Sequence, residues 1–181
     1  MSKISKDNFR KLCLSKLRFF SKNTKIKRDR TICSKIKNII ELYKPKKILL
    51  YIPLKNEVDI RPIINEFRKQ KDIEIYVPYM KGKSFVPVKY RLPLEKKRFN
   101  IKEPNYSTFR GNNIGFDLIV VPIVGIDGTY RRVGYGAGMY DRFFTTLKKR
   151  PITIFTQLTL CQTKEIVTDS YDIIADYIIT I

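Results

Sequence analysis

The stretch VVPIVGIDGTYRRVGYGAGMYDRFF, residues 120–144, gathers the side chains best suited to handling an anion. Gly134, Gly136 and Gly138 alternate with Tyr135 and Ala137 just before a helical pattern, giving three backbone positions without a Cβ. Such a loop lets amide N–H groups approach phosphate oxygens, and a helix N-terminus adds about half a positive charge. Arg131 and Arg132 stand just upstream, where a planar guanidinium can clamp two oxygens at once. Asp141, in the first turn of the helix, is a hard oxygen donor suited to Mg²⁺ held against those phosphates. The same residues also read as an ordinary turn followed by an acid that the helix dipole favours. They are not the dinucleotide fingerprint, whose glycines follow a strand directly, because residues 123–133 intervene after Pro122.

Composition limits what else the chain can do. Its 181 residues include 37 basic and 17 acidic side chains, a formal charge of +20, and no histidine. Without imidazole there is no Ser-His-Asp triad, no Cys-His pair and no His-Glu-x-x-His zinc helix. Chemistry must fall to carboxylates, lysine, arginine, tyrosine, backbone amides or a bound ion. The charge attracts polyanions, nucleic acid or an anionic membrane at low salt, but the lysines run throughout the chain as on solvated faces. Aromatic and basic residues do not interleave in a nucleic-acid motif. Cys13, Cys33 and Cys161 are odd in number and form no CxxC, so neither a disulfide framework nor a zinc knuckle is indicated. No apolar run approaches the ~20 residues that span a bilayer, and the N-terminus lacks a signal-peptide core. The expectation is a soluble cytoplasmic monomer in a reducing compartment, without membrane or specific nucleic-acid partners.

These residues need elements to hold them. Phe9, Leu12, Cys13, Leu17 and Phe20 recur at helical spacing and predict a helix from about Ser5 to Ser21; Ile32, Ile36, Ile39, Ile40 and Tyr43 predict a second. Lys47–Ile52 is a short apolar run suited to a buried parallel strand, and Asp59 to about Gln70 is helical with Pro62 in its first turn. Ile73–Val77 is the next strand, and Phe85–Tyr90, interrupted by Pro87, an edge strand. Arg91 to Phe116 reads as a long loop of the kind often found at ligand sites. Asp117–Pro122 is the clearest buried strand, a helix spans about Met139 to Lys149, and Ile152–Phe155 and Tyr177–Thr180 complete the strands. Alternating strands and helices imply right-handed crossovers, hence one three-layer α/β/α domain with a mostly parallel sheet.

Taken as an ordered string, the motif resembles the signature of the 5-formyltetrahydrofolate cyclo-ligase family (methenyltetrahydrofolate synthetases). Pro122, Asp127, Arg132-Val133-Gly134, Gly136, Gly138, Tyr140 and Asp141 stand in that family's order. Lys6 and Arg10 look like its N-terminal Lys-x-x-x-Arg, and Asn56-Glu57-Val58 like its substrate-side glutamate. Glu103-Pro104, Phe155-x-Gln157 and Asp172-x-x-x-Asp176 also match, so the resemblance covers nearly the whole chain. Departures are Ile126 for phenylalanine, Tyr130 for a common turn glycine, Ala137 for glycine or lysine, and Met139 for the first tyrosine of Tyr-Tyr-Asp.

The resemblance implies conversion of 5-formyltetrahydrofolate and ATP to 5,10-methenyltetrahydrofolate, ADP and phosphate. ATP would phosphorylate the formyl oxygen to an iminium-phosphate, N10 would attack, and phosphate would leave; no histidine is needed. It implies Lys6, Arg10 and Arg132 as the catalytic cations, and an ATP site of those three with Gly134, Tyr135, Gly136, Ala137, Gly138, Met139 and Tyr140. Ile52, Glu57, Tyr135, Gly136, Ala137, Gly138 and Met139 would bind the folate, and Asp141 and Asp172 the metal. Elementary chemistry agrees: Lys6 and Arg10, four apart, share one helix face, and Glu57 follows a strand's carboxyl end, where open α/β sheets place ligands. Its carboxylate suits the amino and ring N–H groups of a pterin. Two other readings are a basic nucleic-acid-binding domain without catalysis and a sugar-phosphate enzyme on a related fold.

Overall fold

Apolar side chains four residues apart open the chain as a helix. The computed structural model describes residues 4–96, 102–104 and 114–181. α1 (Lys6–Asn23) starts at Ser5, whose hydroxyl accepts the Asn8 N–H at 3.2 Å, and buries Phe9, Cys13 and Leu17. α2 (Lys25–Tyr43) restarts beyond Thr24, buries Ile32, Cys33, Ile36 and Ile40, and ends at Lys44 ahead of Pro45. Then come β1 (Lys47–Leu49), α3 (Arg61–Phe67), β2 (Glu74–Lys81), β3 (Ser84–Lys89), β4 (Leu94–Lys96) and β5 (Lys102–Pro104). β6 (Leu118–Pro122), β7 (Gly125–Ile126), β8 (Arg132–Val133), α4 (Met139–Phe144), β9 (Ile152–Thr156) and β10 (Tyr177–Ile179) complete the order.

The main sheet runs β10-β9-β6-β1-β2-β3, parallel throughout except for the antiparallel β2–β3 pair at one edge. Alternation along the strands divides the core in two. Ile48, Leu118, Val120 and Ile154 face α1, α2 and α3, whereas Leu49, Ile119, Val121 and Phe155 face Phe143 of α4 and the aromatic side chains Phe85 and Phe116. The fold is the three-layer α/β/α arrangement with a mostly parallel sheet that the alternation implies.

Several local expectations differ. α4 stops at Phe144, not Lys149, as the Thr145 and Thr146 hydroxyls turn back onto the carbonyls of Arg142 and Phe143. The segment read as one long loop contains the paired β4 and β5, with Glu103 buried and accepting the Met80 N–H at 2.8 Å; residues 97–101 and 105–113 lie outside the described residues. The β7–β8 hairpin leaves no periodicity in the sequence, since each strand is only two residues long. Cys13 and Cys161, whose number and spacing indicate no disulfide framework, form a disulfide that ties α1 to the segment after β9, leaving Cys33 free and buried. Across a separation of 148 residues no spacing rule could show it. No helix among the described residues is long and apolar enough to cross a membrane.

Candidate active site

The carboxyl ends of β1 and β6 and the β8–α4 connection surround a cavity of about 260 Å³. Tyr51, Ile52 and Leu54 line it after β1, Met80 and Phe85 from the edge strands, and Pro122 from β6. The glycine loop and α4 close it with Tyr135, Ala137, Gly138, Met139 and Tyr140. The walls are largely apolar, and two charged groups face inward, Glu57 and Arg132.

Glu57 is 7 % exposed. Its Oε2 accepts the Leu54 N–H at 2.8 Å, closing the turn after β1. Burial outweighs that hydrogen bond and the Lys25 charge and pushes the carboxyl up to about 7. Tyr51 is fixed behind it, donating to the Val58 carbonyl at 2.9 Å and lying 3.0 Å from the Thr156 hydroxyl. Burial, with the Glu57 charge adding to it, pushes the Tyr135 and Tyr140 hydroxyls up, so both remain protonated donors at neutral pH. The Tyr140 hydroxyl is buried and, among the described residues, has no hydrogen-bond partner.

Behind the loop lie the cations of α1. Arg10 donates through Nε to the Gly134 carbonyl at 2.8 Å and pairs with Asp7. Lys6 pairs with Asp172 and, at 3.2 Å, with Asp169. Burial works against the Lys6 charge, but the two carboxylates outweigh it and hold the ammonium above its usual range. Arg132 is 4 % exposed and meets Asp141 in a two-point fork, Nε to Oδ1 at 2.9 Å and Nη2 to Oδ2 at 2.6 Å. Its backbone N–H donates to the Ile173 carbonyl at 3.1 Å, placing it beside Asp172.

The loop's shape follows from its glycines. Gly134 leaves the space through which the Arg132 guanidinium passes: a Cβ there would lie 2.5 Å from Nη1. Gly136 adopts φ +105°, which a side chain rarely tolerates, and a Cβ there would lie 3.8 Å from the Arg10 guanidinium carbon. Among the residues expected to bind folate, Ile52, Glu57, Tyr135, Ala137, Gly138 and Met139 therefore line the cavity, while Gly136 turns toward α1. Among those expected to bind ATP, Lys6 and Arg10 lie on the α1 side, Arg132 between the two, and Met139 and Tyr140 in the cavity wall. The two expected metal ligands, Asp141 and Asp172, each hold a cation, and no three His, Cys, Asp or Glu side chains among the described residues form a metal cluster.

Two residues of the site carried no assigned role in the sequence. Arg142 grips the carbonyls of Lys83 and Ala137, tying the glycine loop to the β2–β3 turn. Asp127, fully buried, accepts from Thr129 N and Oγ1 at 2.8 and 2.7 Å, from Val167 N and Thr168 N at 3.1 and 3.0 Å, and from the Thr168 hydroxyl. It joins the hairpin that carries Arg132 to the segment that carries Asp172. Its place in the motif is visible, but its bonds to Val167 and Thr168 depend on residues 40 and 41 positions away.

The arrangement is a largely apolar cavity with one buried acid, Arg132 in its wall, and the cations Lys6 and Arg10 across the glycine loop. The 5-formyltetrahydrofolate cyclo-ligase family model matches residues 2–180, and the chain belongs to that family. The 5-formyltetrahydrofolate cyclo-ligase of Mycoplasma genitalium is 28% identical over 180 residues, covering 97% of this chain and 98% of that protein. The mouse 5-formyltetrahydrofolate cyclo-ligase is 26% identical over 71% of this chain and 68% of its own. Among solved structures, the NMR structure of Aquifex aeolicus 5,10-methenyltetrahydrofolate synthetase superposes with a TM-score of 0.80 at 29% identity, over 97% of this chain and 89% of that one. A 5,10-methenyltetrahydrofolate synthetase from Mycoplasma pneumoniae shares the fold, with a TM-score of 0.72 at 23% identity, over 97% of this chain and 98% of that one.

Proposed function

We propose that the chain, as one domain over residues 1–181, converts 5-formyltetrahydrofolate to 5,10-methenyltetrahydrofolate at the expense of ATP. The observation that carries this reading is the position of the glycine loop: Tyr135, Ala137 and Gly138 line the apolar cavity, while Gly134 and Gly136 lie against Arg10. A pterin in the cavity would rest among Tyr51, Met80 and Phe85 with its N–H groups toward Glu57. The phosphates of ATP would meet Arg10, Lys6 and Arg132 across the loop.

An amide oxygen is a poor leaving group, and transfer of a phosphoryl group to the formyl oxygen makes it a good one. The protein's share of that step is positioning and neutralisation of charge. Arg132, at the junction of cavity and cations, faces the oxygens between donor and acceptor, while Lys6 and Arg10 hold the phosphate chain. The protonated Tyr140 hydroxyl in the cavity wall, without a partner among the described residues, donates to a substrate oxygen. Asp141 and Asp172 are the carboxylates that would hold Mg²⁺, an ion that takes only one or two carboxylates from a protein when it is bound with phosphates. The chemistry such an ion would supply is neutralisation of charge on the phosphates.

Incubation with 5-formyltetrahydrofolate and MgATP should produce the absorbance of the methenyl product, and none with ATP omitted. No product in the complete mixture overturns the reading.

A further inference from the structure

The cations assigned to phosphate are already neutralised, and the carboxylates that neutralise two of them are the ones assigned to the metal. Arg132 holds Asp141 through two hydrogen bonds, with side chains 5% and 12% exposed; Lys6 holds Asp172, whose side chain is 5% exposed and also accepts the Asp169 N–H at 2.8 Å. The pairs are linked through the backbone, because Arg132 N–H donates to the carbonyl of Ile173, next to Asp172. Each carboxylate thus occupies donors that a phosphate would need, and each cation occupies oxygens that a divalent ion would need.

Resting on the function proposed above, we propose that the two ion pairs form an exchange device that makes polyphosphate and divalent cation bind as a unit. A polyphosphate arriving alone must displace Asp141 and Asp172 and leave two nearly buried carboxylates without a counter-charge. A divalent cation arriving alone must strip the same carboxylates from Arg132 and Lys6 and leave a buried guanidinium unpaired. Stranding a buried charge is far costlier than exchanging its partner. When both arrive together every charge keeps a partner: Arg132 and Lys6 turn to phosphate oxygens, and Asp141 and Asp172 to the metal.

The device predicts a change of sign that a simple metal ligand does not. Titration calorimetry of the full chain, without folate, compares ATP in EDTA with ATP in excess Mg²⁺. The wild type should bind metal-free ATP about tenfold or more weakly than MgATP, within the usual range of coupling between sites. Asp141→Asn frees Arg132, so it should tighten metal-free ATP by about tenfold while weakening MgATP, narrowing or inverting the difference. Asp172→Asn, which leaves Lys6 only the more exposed Asp169 as a partner, should move both affinities the same way and gives the second measurement if the first variant does not fold. Metal-free ATP binding that is unchanged or weakened in the folded variants, beside normal MgATP binding to the wild type, overturns the exchange and leaves the proposed function standing. A wild type that binds no MgATP overturns both.

Discussion

Arg132 and Asp141, nine residues apart, close across the glycine loop as a two-point ion pair, Nε–Oδ1 2.9 Å and Nη2–Oδ2 2.6 Å. The pair joins β8 to α4 and fixes the loop between them from below. It also sets the guanidinium plane at the cavity wall, 5.6 Å from the centre of the Tyr140 ring.

Removing one partner should therefore cost both stability and turnover. Arg132→Ala leaves Asp141 without its counter-charge, and we expect a loss of about 3 kcal/mol in urea unfolding, as for other broken buried pairs. Turnover should fall by about tenfold or more. Arg132→Lys should not restore it, because an ammonium cannot make the two parallel bonds. In Arg132→Ala/Asp141→Ala the unfolding free energy should recover in part while activity does not. A double variant no more stable than Arg132→Ala would mean that the pair does not hold the loop.

Glu57 supplies a pH test whose sign can be worked out. Its carboxyl is held near 7 against an ordinary 4.5, burial being the dominant cause. Between those values the folded state keeps a proton that the unfolded state has lost, so this group lowers stability as pH rises from about 4.5 to about 7, by roughly 3 kcal/mol in all. Glu57→Gln keeps an oxygen for the Leu54 N–H and removes the titration. The variant should gain stability over the wild type at pH 8 and match it near pH 4.5, read as the difference between their unfolding curves. If the ionised carboxylate receives the pterin N–H groups, folate binding should release a proton at pH 6.5, seen as a binding enthalpy that varies with the ionisation enthalpy of the buffer. No buffer dependence would mean that Glu57 stays protonated under the ligand.

Part of this site was legible in the sequence, and the division has a physical basis. Local order was readable: Phe9, Cys13 and Leu17 announce the buried face of α1, and the spacing of Gly134, Gly136 and Gly138 announces a loop that must approach something closely. Properties created by packing between distant segments were not. The Lys6–Asp172 pair spans 166 residues, and the disulfide spans 148. Glu57 reads as an ordinary acid after a strand; its depth follows from the cavity walls contributed by the edge strands and the glycine loop. Arg142 reads as one more lysine-or-arginine on a basic chain until the Lys83 carbonyl is brought to it.

Asp127 is where the hairpin and the Asp172 segment are fastened together. Burial disfavours its charge, but the hydroxyls and amides of Thr129 and Thr168 outweigh burial and hold the carboxyl well below the usual carboxylate range. Its contribution is present above the ordinary carboxylate pKa and is lost as pH falls through and below that range. Asp127→Ala strands several buried donors at once, and we expect a loss of about 3–5 kcal/mol in urea unfolding at pH 7. A loss below about 1 kcal/mol would show that water replaces the carboxylate and that the site does not depend on it.

Tyr130 offers a test in the opposite direction. It holds φ +59° at the tip of the β7–β8 hairpin, where its N–H donates to the Asp127 carbonyl at 3.0 Å, and the residue is 56% exposed. A side chain in left-handed backbone costs about 1–2 kcal/mol, and a residue so exposed recovers little of it by burial. Glycine removes that cost but gains freedom in the unfolded chain, which offsets about half of it. Tyr130→Gly should therefore stabilise the protein by about 0.5–1 kcal/mol, raising the melting temperature by roughly 1–4 °C. Activity should be unchanged, since Tyr130 lines no part of the cavity. A lower melting temperature would mean that the ring stabilises the hairpin by more than its left-handed backbone costs.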